Sequence, residues 1–179
     1  MIAVVRRPGS IAPAPGLRES MWPEVTDSSS LVTALRGVDA VISVLGGESA
    51  GPTTVCTDAM RIVLPTMADV GVRRLIAVSA HGVLESHDRS LYSRAVWAGV
   101  AEKMKDKEAM EPLIVDSDLG WTIVRPPALK DAPETGRYRV GERLPIRLWH
   151  SIGRADLADF LLREAEEPQY VGRYPRIHR

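Results

Sequence analysis

The stretch Ala40-Val41-Ile42-Ser43-Val44-Leu45-Gly46-Gly47 decides the fold. Its apolar residues do not alternate with polar ones, and two glycines then halt the run. Such a run is a strand buried on both faces, the habit of parallel sheets covered by helices. The same signature recurs on either side. Upstream, Ile2-Ala3-Val4-Val5 reads as a buried strand bounded by Arg6-Arg7-Pro8-Gly9. Downstream, Leu75-Ile76-Ala77-Val78-Ser79 and Trp121-Thr122-Ile123-Val124 read as two more, the latter running into Arg125-Pro126-Pro127.

Helical periods fill the intervals. Thr26-Asp27-Ser28 offers N-cap chemistry for a stripe of Leu31, Ala34, Leu35 and Val38, with Gly37 where the helix stops. A second helix opens at Pro52 or Thr53 and ends at Gly71. Its stripe is Cys56, Ala59, Met60, Val63, Leu64 and Met67. Pro65 inside that stripe removes a backbone donor and is expected to kink it. A third helix is expected over about 99–115, and a last one carries Leu157, Phe160 and Leu161 after Ser151. Residues 9–23, rich in proline, read as loop, and 81–98 are too irregular to assign. Strand and helix in alternation mean an α/β fold, a doubly wound parallel sheet in a single domain over 1–179.

The 179 residues carry 23 Lys plus Arg and 23 Asp plus Glu, with 45% hydrophobic and 26% charged residues. That is a globular composition, not a disordered one. The balance argues against nucleic acid or an anionic membrane as partner. The lone Cys56 forms no internal disulfide and, on the apolar stripe, reads as an inert core residue. No apolar run approaches the ~20 residues of a membrane span. Met1-Ile2-Ala3-Val4-Val5-Arg6-Arg7 is no signal peptide, so the expected location is cytoplasmic. His81, His87 and Asp88 have no helix to fix their spacing, and no metal is expected. Nothing in the sequence specifies the oligomeric state.

The segments together resemble the atypical short-chain dehydrogenase/reductase group, NAD(P)H-binding Rossmann-like proteins related to NmrA and to the flavin reductase biliverdin reductase B. The carrying stretches are Val4–Pro8, Gly37–Gly46, Pro52-Thr53-Thr54-Val55, Gly71–Ala80, Trp121–Pro127, Thr135-Gly136-Arg137-Tyr138 and Ile152–Ala158. The Pro-Thr-Thr-Val and Thr-Gly-x-Tyr steps lean toward the flavin reductase side. One departure is large. The group opens with a strand, a G-x-x-G-x-x-G turn and a helix, and here no glycines form that turn ahead of a helix. The resemblance therefore implies an N-terminally incomplete fold, lacking the first strand, the glycine turn and the first helix. In the strand order 3-2-1-4-5-6 the first strand is central, so either the sheet re-pairs across the gap, or a segment from elsewhere fills it, or, most simply, the sequence lacks its natural N-terminus; most of the phosphate cradle is then missing.

The resemblance also implies a site. Arg6 and Arg7 end a strand where a basic pair suits the 2′-phosphate of NADP, although exposed arginine pairs are common. Leu45, Gly46 and Gly47 lie where the group contacts the ribose and phosphates, or form a simple turn. Glu24 and Val25 stand where Asp-Val often lies beside adenine, or make an ordinary loop. Ser79 matches the first serine of a Ser-Ser pair whose second, more catalytic member is Ala80 here. No Tyr-x-x-x-Lys follows, which argues against carbonyl reduction by the usual triad. Lys107 corresponds to a position facing the site, or is a solvated helix lysine beside Glu111. Pro126 and Pro127 border the nicotinamide, and residues 81–98 are expected to cover the acceptor side as a mobile lid. Hydride transfer to a flavin needs chiefly proximity and orientation. The leading expectation is thus an NADPH-dependent reductase of a flavin-like small-molecule acceptor, with Ser79 and Lys107 as catalytic residues. The alternatives are a non-catalytic dinucleotide sensor and a remnant that binds no cofactor.

Overall fold

The computed structural model describes residues 1–47 and 51–179. The chain opens with β1 (Ile2–Val5), β2 (Arg18–Met21), α1 (Ser28–Leu35), β3 (Ala40–Ser43) and α2 (Val55–Val70). It continues with β4 (Arg74–Val78), α3 (Leu91–Val115), β5 (Gly120–Val124), β6 (Ala128–Lys130) and β7 (Arg139–Gly141). The last elements are β8 (Ser151–Gly153), α4 (Arg154–Glu166) and β9 (Arg176–His178).

β3, β4 and β5 form one parallel sheet, with Ala40 opposite Arg74 and Arg74 opposite Gly120. The alternation of side chains along it sorts two cores. Leu75, Ala77, Trp121 and Ile123 pack with α1, α2 and the end of α3, through Leu31, Met60, Met67 and Ile114. Ile76, Val78 and Val124 face the other way, onto Leu157, Phe160 and Leu161 of α4. Helices on both faces make the sheet doubly wound. β1 and β2 pair parallel in a separate two-stranded ribbon that shares no ladder with β3 among the described residues. Trp22 ties this ribbon down: its amide donates to the Val5 carbonyl at 2.8 Å and its indole to the Asp27 carbonyl at 2.7 Å.

Local chemistry explains the helix ends. Asp27 caps α1, accepting from the Ser29 amide at 2.9 Å and the Ser30 hydroxyl at 2.6 Å. Those donors hold its carboxyl down at about 2. Gly71 closes α2 at φ +81, a left-handed angle suited to glycine.

Four expectations are corrected. Residues 9–23 are not all loop, because Arg18–Met21 pairs with β1 as an edge strand whose sequence lacks β-branched residues. α2 runs unbroken through Pro65, since that residue and Arg61, whose carbonyl it deprives of a donor, are both exposed to water. The break lies in α3, at Val100 (φ −140, ψ 36), so the helix expected from 99 begins at Leu91 under the Ser90 cap. Finally, 81–98 is not irregular: it holds the 3-10 turn Leu84–Ser86 and the first turns of α3. Trp97 donates to the Gly82 carbonyl at 2.8 Å, and Glu108 accepts from the Leu84 amide at 3.0 Å.

The short strands at the C-terminal end escape sequence reading because each is three residues long. They form two separate pairs, β6 with β8 and β7 with β9, and isolated bridges at Arg173 and Arg176 tie the chain end to Thr122 and Arg125. Gly172 donates to the Trp121 carbonyl at 2.7 Å and Arg125 to the Pro175 carbonyl at 2.9 Å, which seats the chain end along β5.

Candidate functional site

Open α/β sheets bind ligands beyond the carboxyl ends of their strands. Here that edge gathers Leu45, Gly46 and Gly47 after β3, Ser79 to His81 after β4, and Arg125 to Pro127 after β5. Backbone bonds lock the last two together: the Ser79 amide donates to Val124 at 2.8 Å and the His81 amide to Pro126 at 2.9 Å. Pro126 and Pro127 are both buried.

Lys107 joins the other pair of strand ends. Its Nζ donates to the Leu45 carbonyl at 2.8 Å and to the Val78 carbonyl at 2.6 Å, and the side chain is buried. The solvated helix lysine considered from the sequence is thereby excluded. Glu111, its supposed partner, is taken instead by Arg125, whose Nε donates to Oε1 at 3.1 Å. The next residue along, Asp106, caps α2 by accepting from the Cys56 and Thr57 amides at 2.9 and 3.0 Å. Burial pushes the Cys56 thiol up, and its Sγ donates to the Leu45 carbonyl at 3.4 Å. Gly47 is needed by close approach: a Cβ there would stand 2.9 Å from Thr53 Oγ1.

Two side-chain atoms at this edge are orphaned. Ser79 Oγ and His81 Nδ1 are buried and have no partner among the described residues. An unpaired buried polar group carries a penalty that a ligand removes on binding. His81 is pushed down to about 4, first by burial and then by Arg176 and Arg125. It is a neutral imidazole at pH 7. Tyr92 lies with its ring 5.3 Å from His81, and burial pushes its phenol up to about 12. Tyr92 belongs to the segment 81–98 that the sequence reading set over the acceptor side, and its contact with His81 comes from the first turn of α3 under the Ser90 cap.

Sequence reading missed Arg125. Its guanidinium bonds Glu111 and Glu85, and Tyr174 lies 4.3 Å beneath it. A lone arginine closing an otherwise apolar strand was the available signal. The remaining expected residues lie on the β1 ribbon or just past it. Arg6 and Arg7 are exposed at the end of β1, and Ser10 Oγ donates to the Arg7 carbonyl at 2.6 Å. Glu24 is exposed, whereas Val25 packs against the first core. Since β1 and β3 share no ladder among the described residues, no ladder there carries these residues to the β3–β4–β5 edge.

Residues 1–168 match the family model described as NAD(P)H-binding, and the chain belongs to that family. It is 30% identical over 142 residues to the uncharacterized sugar epimerase YhfK of Bacillus subtilis, covering 76% of this chain and 61% of that one. The chain thus spans about three fifths of the length of that relative. Its fold superposes on the oxidoreductase ylbE of Lactococcus lactis with a TM-score of 0.82 at 17% identity, over 99% of this chain and 78% of that one. It also superposes on ChuY, an anaerobillin reductase from Escherichia coli O157:H7, with a TM-score of 0.79 at 22% identity, over 98% and 82%. The architecture is the Rossmann type. No helix among the described residues is long and apolar enough to cross a membrane.

The residues present fit one end of a nicotinamide dinucleotide. Ser79 Oγ and His81 Nδ1 are unsatisfied beside a proline wall, which suits a polar ring edge. A glycine turn for the pyrophosphate is not among them.

Proposed function

We propose that this protein is an NADPH-dependent reductase of a flavin or similarly flat small-molecule acceptor. The observation that carries the reading is the orphaned pair, Ser79 Oγ and His81 Nδ1, buried at the carboxyl edge of a sheet whose family binds NAD(P)H. When bound, the nicotinamide supplies a hydride. Every other contribution comes from the chain. Pro126 and Pro127 form a dry wall, and Ser79 offers a hydroxyl to the ring edge. Lys107 holds the ends of β3 and β4 in register. Arg6 and Arg7 favour the phosphorylated cofactor through guanidinium–phosphate contacts. Leu45, Gly46 and Gly47 flank the ribose side, with Glu24 and Val25 nearer the adenine. His81 is neutral at pH 7, and its Nδ1, without a partner among the described residues, lies at the same edge.

A second reading, a non-catalytic dinucleotide sensor, is favoured by Lys107, whose ammonium is already spent on two carbonyls. One experiment separates them. NADPH is titrated into the chain and followed by nicotinamide fluorescence, with NADH as comparator, and NADPH oxidation is then measured with FMN added. Saturable binding that prefers NADPH, with turnover, is the expected result. Binding without turnover selects the sensor, and no binding at millimolar cofactor removes both. Residence in the cytoplasm belongs to the same proposal.

A further inference from the structure

The chain is neutral as a whole, yet its charge is unevenly spread. Residues 137–154 and 168–179 hold eight arginines and two histidines against a single acid, Glu142. Arg173 pairs with Glu142 at 3.4 Å and Arg154 with Asp131 at 2.6 Å. Arg139, Arg147 and Arg176 have no carboxylate within ion-pair reach among the described residues.

The fold puts these three on one surface. β7 and β9 are antiparallel, with Arg139 opposite His178 and Gly141 opposite Arg176. Strand alternation sets Arg139, Arg176 and His178 on one face, while Val140 and Ile177 turn into the second core. His150 stacks on His178 with ring centroids 3.7 Å apart and planes 12° from parallel. Its Nδ1 accepts from the Arg147 amide at 3.2 Å. His178 is buried, and its Nε2 is without a partner among the described residues. At the lip stands Trp149, 70% exposed, with the Arg147 guanidinium 5.5 Å from its ring. The face reaches the nicotinamide end, because Arg176 follows Pro175, the partner of Arg125, and its charge acts on His81 and Glu85.

Three guanidiniums around two imidazoles, with no carboxylate in direct contact among the described residues and Glu85 acting on Arg176 only from a distance, repel one another. An oxyanion relieves that repulsion, and the planar forks bind it bidentately. A largely exposed tryptophan, touched by Arg147 and edge-on to His150, offers a stacking surface to a flat ring. We infer that this face is the acceptor site and takes a flat conjugated molecule with carboxylate or phosphate arms, its ring on Trp149 and its arms on Arg139, Arg147 and Arg176. The word acceptor rests on the reductase reading; the binding does not.

The test is equilibrium titration without NADPH, using two matched pairs of probes. FMN and riboflavin share a ring and differ by a phosphate; protoporphyrin IX and its dimethyl ester differ by free carboxylates. At least one anionic probe is expected to bind tenfold or more tighter than its neutral twin. The pair that shows the preference identifies phosphate or carboxylate as the recognised arm. In R139Q/R147Q, which changes two exposed side chains, the preference falls to about twofold and the neutral twin binds as before. W149A weakens both members of the pair. The inference is overturned if no anionic probe outbinds its twin, including the case where none binds, or if the preference survives R139Q/R147Q. NADPH oxidation, run in parallel, reads the reductase proposal separately: a preference without turnover keeps this site and removes only that reading.

Discussion

The Arg125 guanidinium, 1% exposed, is held by Glu111, 0% exposed, with Nε donating to Oε1 at 3.1 Å. Arg125 ends β5 and Glu111 sits on α3, so the pair pins the helix to the carboxyl edge of the sheet. From its other side Glu85, on the 3-10 turn Leu84–Ser86, reaches the same guanidinium.

Removing Glu111 leaves the buried guanidinium with the largely exposed Glu85 as its remaining carboxylate, at a cost of about 3 kcal/mol. E111Q is expected to show that loss in urea unfolding. The double variant R125M/E111L, which keeps an apolar body over Tyr174, is expected to lose much less. A double variant as unstable as the single one would contradict the account.

His81 predicts a pH dependence. Its folded value of about 4 lies below the ordinary 6.5, so the unfolded chain takes up a proton first as pH falls. Stability is therefore full above pH 6.5 and declines between 6.5 and 4, by up to roughly 3 kcal/mol. His150 shifts the same way, whereas Asp27 and Asp88, both held at about 2, lose their contributions only below pH 4. Comparing urea midpoints at pH 7 and 4.5, H81F is expected to flatten the slope. Equal slopes for H81F and the natural chain would sink this assignment.

Lys107 is expected to act as a positioning residue. K107M frees two carbonyls that it now satisfies, and costs about 2–4 kcal/mol of stability. Because it spaces β3 from β4, the variant is expected to raise the KM for NADPH more than it lowers kcat. A fall in kcat with KM and urea midpoint unchanged would mean that the ammonium acts directly on the reacting atoms.

The two glycines after β3 are expected to differ. G46A meets nothing within 4 Å and should leave NADPH affinity within twofold, whereas G47A pushes on Thr53 and should weaken it at least fivefold. T53G in the G47A background should restore binding, since the colliding atoms belong to that side chain. Equal effects of G46A and G47A on the dissociation constant would show that crowding at Thr53 does not shape the site.

Much of this was legible in the residues. The apolar runs at 75–78 and 121–124 are strands buried on both faces, as read; those at 2–5 and 40–43 are strands only half-buried, with Val4 and Val44 exposed, so the expectation of full burial fails there. Asp27 and Gly71 end helices through their own chemistry. These are properties of adjacent residues, and a sequence displays adjacency. The α/β class and the position of Ser79 at a strand end followed from them; the NAD(P)H-binding family came from a resemblance of whole motif stretches, which the family match bears out.

Tertiary structure decided the rest, through contacts between residues far apart in the chain. Arg125 with Glu111 and Glu85, Lys107 with the Leu45 and Val78 carbonyls, and His178 against His150 are joined only by packing. Arg18–Met21 is a strand because β1 supplies its ladder, not because its residues prefer one. Local preference is written residue by residue. The cost of an unpaired buried charge or carbonyl depends on what folds against it, and that partner is visible only once the chain has closed on itself.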